Sequence, residues 1–246
     1  MIHPSLRLEY LKNKKFKYSS LDSFSKCVKK IHFIKYKKKI HYSYNSRGFR
    51  DVEWPREDKL SSCIWCVGDS FTVGIGQPYE KIWSSLLELY MGNTTINVSM
   101  SGGSNDWMRR KINYITKNIS PKYIVVQWSY ISRREKMDCT LLDNERRERG
   151  GIEDGQNDAI NNIINNIVGV EKNRNNTKII HTFIPLWSWS APILNNNLFW
   201  KLIIKERNLE NISIVLDTTQ LDYARDYNHY DTKTATKYVE HIVKLF

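Results

Sequence analysis

A chain of 246 residues with 41% hydrophobic, 12% aromatic and 26% charged residues is long enough for one sizeable α/β core and too rich in apolar residues to be disordered throughout. It holds no run of the roughly 20 apolar residues that cross a bilayer, and its opening MIHPSLRLEYLKNKK lacks the apolar centre of a signal peptide, so a cytoplasmic protein is expected. The formal charge of +12 lies wholly at the front: residues 1–50 carry 14 Lys and Arg against Glu9 and Asp22 (14 − 2 = +12), and the rest of the chain carries 24 of each sign.

Residues 1–45 form a basic N-terminal appendage, either a solvated lysine-rich face or a contact for an anionic polymer such as nucleic acid or an acidic glycan. One short helix is expected around Leu21 to Lys30. The alternation of Ile31, Phe33, Tyr36, Ile40, Tyr42 and Tyr44 suggests one or two half-exposed strands, closed by the turn NSRGFRD. Residues 46–246 then read as one domain. A strand at Cys63–Val67 is followed by a helix at Tyr79–Met91, a strand at Thr94–Val98, a helix at Ser104–Asn118 and a central strand at Lys122–Trp128. Residues 129–157 are charged and glycine-containing, an insertion or lid. Helical spacing resumes at Asp158–Val170, and a strand at Lys178–Leu186, a helix at Leu194–Arg207, a strand at Ile212–Leu216 and a closing helix at Thr232–Phe246 complete the chain. Strands alternating with helices predict a flavodoxin-like, doubly wound α/β sandwich on a five-stranded parallel sheet, with its site beyond the carboxyl ends of the strands.

Cys27, Cys63, Cys66 and Cys139 are expected to be free thiols, since a chain of this length without an export signal does not need disulfide staples. Cys63 and Cys66 form a CxxC. A CxxC can mean redox chemistry or half a zinc site, but on a strand residues three apart point to opposite faces and no second CxxC or paired histidine completes a metal set, so structural thiols are expected.

The stretch CIWCVGDSFTVGIGQ ends a buried strand on Ser70, between Asp69 and Phe71. It lacks the lysine of a phosphate-binding loop and the third glycine of a dinucleotide fingerprint, and Thr72 stands where a GxSxG elbow needs its second glycine. A serine hydroxyl becomes a nucleophile when a base takes its proton and a third group fixes that base. In LDYARDYNHYD, Asp226 and His229 lie three apart, a spacing at which a turn can set the two side chains together; the plainer account of His229 is a polar residue at a helix start. His181 lies inside an apolar strand and reads as a satisfied core histidine, while His3, His32, His41 and His241 lie in basic or helical contexts. In NVSMSGGSND, Gly102 and Gly103 free the backbone to turn amides toward the same edge, so that Gly102 N–H and Ser70 N–H could form a two-donor oxyanion hole; a glycine-rich turn into a helix capped by Ser104 explains the stretch equally well.

GDSFTVG at Gly68–Gly74, NVSMSGG at Asn97–Gly103 and DYNH at Asp226–His229 resemble the first, second and fifth sequence blocks of the SGNH/GDSL hydrolase family, in the same order. NSRGFRD resembles the segment that often precedes the first block, so the likeness runs from about Asn45 to the end. It implies Ser70 as nucleophile, His229 as base, Asp226 as its orienting acid and Gly102 as an oxyanion donor, with no metal or cofactor. It implies a serine esterase working through an acyl-enzyme, with an acyl or acetyl ester on a small molecule or glycan as substrate. One block departs: where the family usually carries an asparagine after the third strand, this chain reads IVVQWSYISRRE. Ser129 or Ser132 then become candidate donors, and Arg133 or Arg134 candidate contacts for an anionic substrate. The departure keeps open a catalytically weak or inactive binding protein of the same fold, tethered to a polyanion by its basic front. Transfer of the acyl group to another hydroxyl is a third reading. LWSWS, Leu186–Ser190, is either pocket lining or core.

Overall fold

A computed structural model describes residues 4–19, 22–28, 31–131, 133–134, 156–184, 197–207, 212–215 and 220–246. The N-terminal segment contributes β1 (Lys15–Phe16), α1 (Phe24–Cys27), α2 (Ile31–Lys35) and β2 (Tyr42–Ser43), with β1 and β2 paired antiparallel. The strand expected from the alternation at Ile31 is instead the helix α2. Over five residues a period of two and a period of 3.6 are hard to tell apart, and here Phe33 turns inward while Ile31 and Ile34 face solvent.

The sandwich itself runs β3 (Ile64–Gly68), α3 (Ser70–Val73), α4 (Trp83–Met91), β4 (Thr95–Ser99), α5 (Asn105–Asn118), β5 (Tyr123–Trp128), α6 (Gln156–Glu171), β6 (Lys178–Phe183), α7 (Asn197–Glu206), β7 (Ser213–Ile214) and α8 (Thr232–Val243). The five strands from β3 to β7 make one sheet in the order β4-β3-β5-β6-β7, and every pairing is parallel. This is the flavodoxin-like order that the alternation of elements predicts. β6 runs to Phe183, and Ile184 N–H still donates to the Trp128 carbonyl at 3.1 Å; the expected end at Leu186 lies outside the described residues. Leu216, Cys139, Ser132, the LWSWS cluster and residues 135–155 of the expected lid lie outside the described residues. Among the described residues no helix is long and apolar enough to cross a membrane.

The period of two along each buried strand builds a core on both faces of the sheet. Trp65 and Val67 pack with Trp107, Met108, Ile112 and Ile115 of α5 and with Ile163 and Ile167 of α6. Ile64 and Cys66 point the other way, onto Trp83 and Leu87 of α4 and Tyr238, Val239 and Ile242 of α8. Cys63 joins the first cluster and Cys66 the second, so the CxxC thiols are on opposite faces, and both are free. Burying one such aliphatic side chain stabilises by about 1.5–3 kcal/mol.

The N-terminal segment shares these cores. Leu6 and Leu8 belong to the α5/α6 face, and Ile40 and Tyr42 pack against Val73 and Ile75 just past Ser70. Gly48, at φ 83°, lies so close to the chain that an added Cβ would come within 2.0 Å of the Leu8 carbonyl oxygen. Only glycine takes both that backbone region and that approach without strain.

Candidate active site

β3 delivers Gly68 and Asp69 to the carboxyl edge of the sheet, and α3 begins directly with Ser70. Asp69 is the N-cap: its Oδ1 accepts from Phe71 N–H at 2.9 Å. As the first residue of α3, Ser70 keeps a backbone N–H that no helical carbonyl can reach. The short helix ends on Gly74 at φ 72°, whose N–H turns back to the carbonyls of Phe71 and Ser70.

His229 arrives from the far end of the chain, on the turn that leads into α8. Asp226 Oδ1 accepts from the backbone N–H groups of Asn228 and His229, each at 3.1 Å, an Asx turn that bends the chain back on itself. Tyr227 in its middle takes φ 56°, a left-handed conformation uncommon outside glycine. Folded this way, Asp226 Oδ2 lies 2.6 Å from His229 Nδ1, and His229 Nε2 lies 2.8 Å from Ser70 Oγ. A carboxylate only accepts, so the ring proton sits on Nδ1 and the Ser70 hydroxyl donates to Nε2. Ser70, His229 and Asp226 are 4%, 1% and 2% exposed, so water competes little for these bonds. Burial raises the Asp226 carboxyl, but the His229 hydrogen bond and charge and the two backbone N–H groups outweigh it and hold it below the ordinary value. The Phe71 ring lies against the imidazole, centroids 4.4 Å apart. Such a relay can withdraw a proton from the serine hydroxyl as its oxygen attacks.

Gly102 lies in the turn after β4, at φ 72°. Its loop is set beside the serine because Ser99 pairs with Gly68 and Met100 N–H donates to the Gly68 carbonyl at 3.2 Å. The helix reading of this stretch holds as well: Ser104 Oγ accepts from Trp107 N–H at 3.0 Å at the start of α5.

The loop after β5 carries the departure from the family pattern, and its candidate side chains turn to Asp69. Ser129 Oγ donates to Asp69 Oδ2 at 2.5 Å and Arg133 Nη1 donates to the same oxygen at 2.7 Å. The sequence alone made Ser129 a candidate oxyanion donor and Arg133 a candidate contact for an anionic substrate; in the structure the Ser129 hydroxyl and Arg133 Nη1 are both held by Asp69. Asn105 holds the same loop from α5, its Oδ1 accepting from Ser129 N–H and its Nδ2 donating to the Tyr130 carbonyl, both at 3.0 Å. No local pattern around Asp69 marks this arrangement, because its partners come from the loop after β5 and are held there by α5.

Arg50, inside NSRGFRD, is another residue that sequence reasoning left without a role. Its guanidinium donates to the carbonyls of Val73 at 3.0 Å, Gly74 at 2.6 Å, Gln77 at 2.8 Å and His41 at 3.2 Å. It thus occupies the orphan carbonyls where α3 ends. His181 is a core histidine, as expected: Nδ1 accepts from Trp128 Nε1 at 3.1 Å and Nε2 pairs with Glu171 at 2.7 Å. His32 contacts the His229 turn, its Nε2 2.9 Å from the Ala224 carbonyl.

Solved structures share this architecture. A structure assigned to the G-D-S-L lipolytic family, from Desulfitobacterium hafniense, superposes with a TM-score of 0.50 at 13% identity, over 75% of this chain and 99% of that one. The fold is the SGNH/GDSL hydrolase fold. A family two carbohydrate esterase from Clostridium thermocellum, solved with cellohexaose, shares the fold at TM-score 0.52 and 14% identity, over 79% of this chain and 65% of its own. An acetyl xylan esterase from Butyrivibrio proteoclasticus matches at TM-score 0.50 and 13% identity, over 75% of this chain and 62% of its own. No protein-family model matches the sequence, and no curated protein does. On the SGNH/GDSL fold, Ser70, Gly102 and the Asp226–His229 turn all lie at the carboxyl edge of the sheet, where open α/β folds place their ligands.

Proposed function

We propose that the protein is a serine ester hydrolase. The observation that carries this reading is the continuous hydrogen-bonded path from the Ser70 hydroxyl through the His229 imidazole to the Asp226 carboxylate, at 2.8 and 2.6 Å. Ser70 Oγ attacks the acyl carbonyl while His229 Nε2 takes its proton, and Asp226 stabilises the imidazolium that forms. The negative oxygen of the tetrahedral intermediate is received by Ser70 N–H and Gly102 N–H; one such donor is worth about 3 kcal/mol. Collapse expels the alcohol, which leaves with the proton from His229. Water, deprotonated by the same imidazole, then attacks the acyl-serine and releases the acid, returning the proton to Ser70.

An acetyl ester on a carbohydrate is the substrate class we favour. The carbohydrate esterase and the acetyl xylan esterase with this fold support it. The exposed lysines Lys12, Lys14, Lys15, Lys17 and Lys26 of the N-terminal segment suit an anionic polymer as a secondary contact, through attraction that salt would screen.

Ser70→Ala tests the proposal on a chromogenic acetyl ester and on acetylated xylan. Turnover should fall by about 1,000-fold or more, with the thermal unfolding midpoint retained. Hydrolysis by a folded Ser70→Ala variant at the wild-type rate would remove Ser70 from the reaction.

A further inference from the structure

We propose that Asp22, in the basic N-terminal segment and outside every sequence block of the hydrolase pattern, is a positioning residue that locks the Asp226–His229 turn onto the Ser70 loop. The inference rests on the hydrolase reading above.

Asp22 is fully buried, and its carboxylate holds one residue from each side of the site. Arg225, immediately before Asp226, donates to it in a fork: Nε to Oδ2 at 3.0 Å, and Nη2 to Oδ2 at 2.8 Å and Oδ1 at 2.9 Å. Tyr42 donates its hydroxyl to Asp22 Oδ2 at 2.7 Å, and that same hydroxyl accepts from Gly76 N–H at 2.8 Å, six residues past Ser70. The two catalytic loops also meet directly, Arg225 N–H donating to the Gly76 carbonyl at 3.1 Å. One carboxylate thereby closes a ring through Arg225, Gly76 and Tyr42. The Arg225 guanidinium also lies against the rings of Tyr18 and Phe33, 4.9 and 5.5 Å from their centroids.

Other residues of the same segment grip both ends of the turn. His32 meets the Ala224 carbonyl at 2.9 Å, and Tyr36 and Lys38 donate to Asp231 Oδ2 at 3.1 and 2.6 Å. Residues 224–231 are therefore bracketed by the N-terminal segment, with Asp226 and His229 inside the bracket. Bidentate guanidinium–carboxylate pairing fixes direction as well as distance, so the chain just before Asp226 has little freedom to rotate. A displacement of about 1 Å at a reacting group can cost on the order of 100-fold in rate. A buried ion pair serving stability alone has no need to touch both loops.

The test compares wild type with Asp22→Asn, Tyr42→Phe and Arg225→Lys, each checked for folding at the assay temperature. We expect kcat on a chromogenic acetyl ester to fall by about 10- to 100-fold in Asp22→Asn and less in Tyr42→Phe, with KM held within about twofold. Labelling of Ser70 by a serine-directed phosphonate should slow in parallel. The proton NMR signal of His229 Nδ1–H, which reports its bond to Asp226 without any ester present, should shift or broaden in the same variants. Folded Asp22→Asn and Tyr42→Phe proteins with wild-type kcat, labelling rate and Nδ1–H signal overturn the proposal. If Asp22→Asn does not fold, Tyr42→Phe and Arg225→Lys decide by the same readouts. If the wild type neither hydrolyses esters nor takes the phosphonate, the hydrolase reading fails, and the Nδ1–H signal of the variants still decides whether Asp22 positions His229.

Discussion

Gly76 lies so close to Ala224 that a Cβ added to it would come within 2.8 Å of the Ala224 side chain and 3.0 Å of the Arg225 nitrogen. It also sits at φ 78°, where a side chain is strained in any surroundings. The contact is where the loop carrying Ser70 meets the turn carrying His229. Gly76→Ala should destabilise the protein by about 1–3 kcal/mol and should lower kcat even in the fraction that remains folded. Denaturant unfolding and turnover measured on the same preparation check this. A variant with wild-type stability and turnover would show that the two loops have room to separate.

Asp226→Asn should reduce kcat by about 10⁴-fold, since an amide can present the wrong tautomer of the imidazole to the serine. The same variant carries a pH signature. The Asp226 carboxyl is held below its ordinary value of 3.8, so its contribution to stability is complete above that value and is lost as pH falls through the depressed folded value. The stability gap between wild type and Asp226→Asn should therefore be widest near about pH 7 and should narrow in acid below the unfolded carboxyl range. Urea unfolding at several pH values measures it. A gap that widens on acidification contradicts the assignment.

Arg50→Met should be among the most damaging single changes, because it removes the guanidinium from the carbonyls of Val73, Gly74, Gln77 and His41, of which Gly74 keeps a second donor in Gln77 N–H. Leaving buried groups unpaired costs about 1–3 kcal/mol each. Arg50→Lys should rescue little, since an ammonium cannot reproduce the guanidinium fork. The denaturant midpoints of the two variants decide.

Much of this arrangement is legible in the sequence, and the reasons for the rest are physical. The order of strands and helices follows from hydrophobic periodicity, which the buried runs at Ile64–Gly68 and Tyr123–Trp128 state plainly. The position of Ser70 at a strand end was readable from the break in the apolar run, and the meeting of Asp226 with His229 from their three-residue spacing. The helix at Ile31–Lys35 was not readable, because its five residues are too short a window to separate the two periods. Arg133, Ser129 and Asp69 meet only because β3 and β5, which are not consecutive in the chain, pair in the sheet; the residues lie 60 and 64 positions apart. Asp22 and Arg225 lie 203 residues apart, and nothing local in either marks the other.

Arg133→Ala should destabilise by about 3–5 kcal/mol, because it leaves the Asp69 carboxylate buried without its cation. The double variant Asp69→Asn with Arg133→Ala should recover part of that loss, since the amide no longer buries a charge. A double-mutant cycle in urea measures the coupling. Additive effects of the two substitutions would mean that the 2.7 Å contact contributes nothing specific.

The most direct measurement of the central claim is covalent labelling with a serine-directed phosphonate, followed by mass spectrometry of the peptides. The wild type should carry a single adduct on Ser70, His229→Ala should label at least about 100-fold more slowly, and Ser70→Ala should not label. A wild-type protein that stays unmodified at Ser70, or a folded His229→Ala variant that labels at the wild-type rate, would contradict the shared proton between Ser70 and His229.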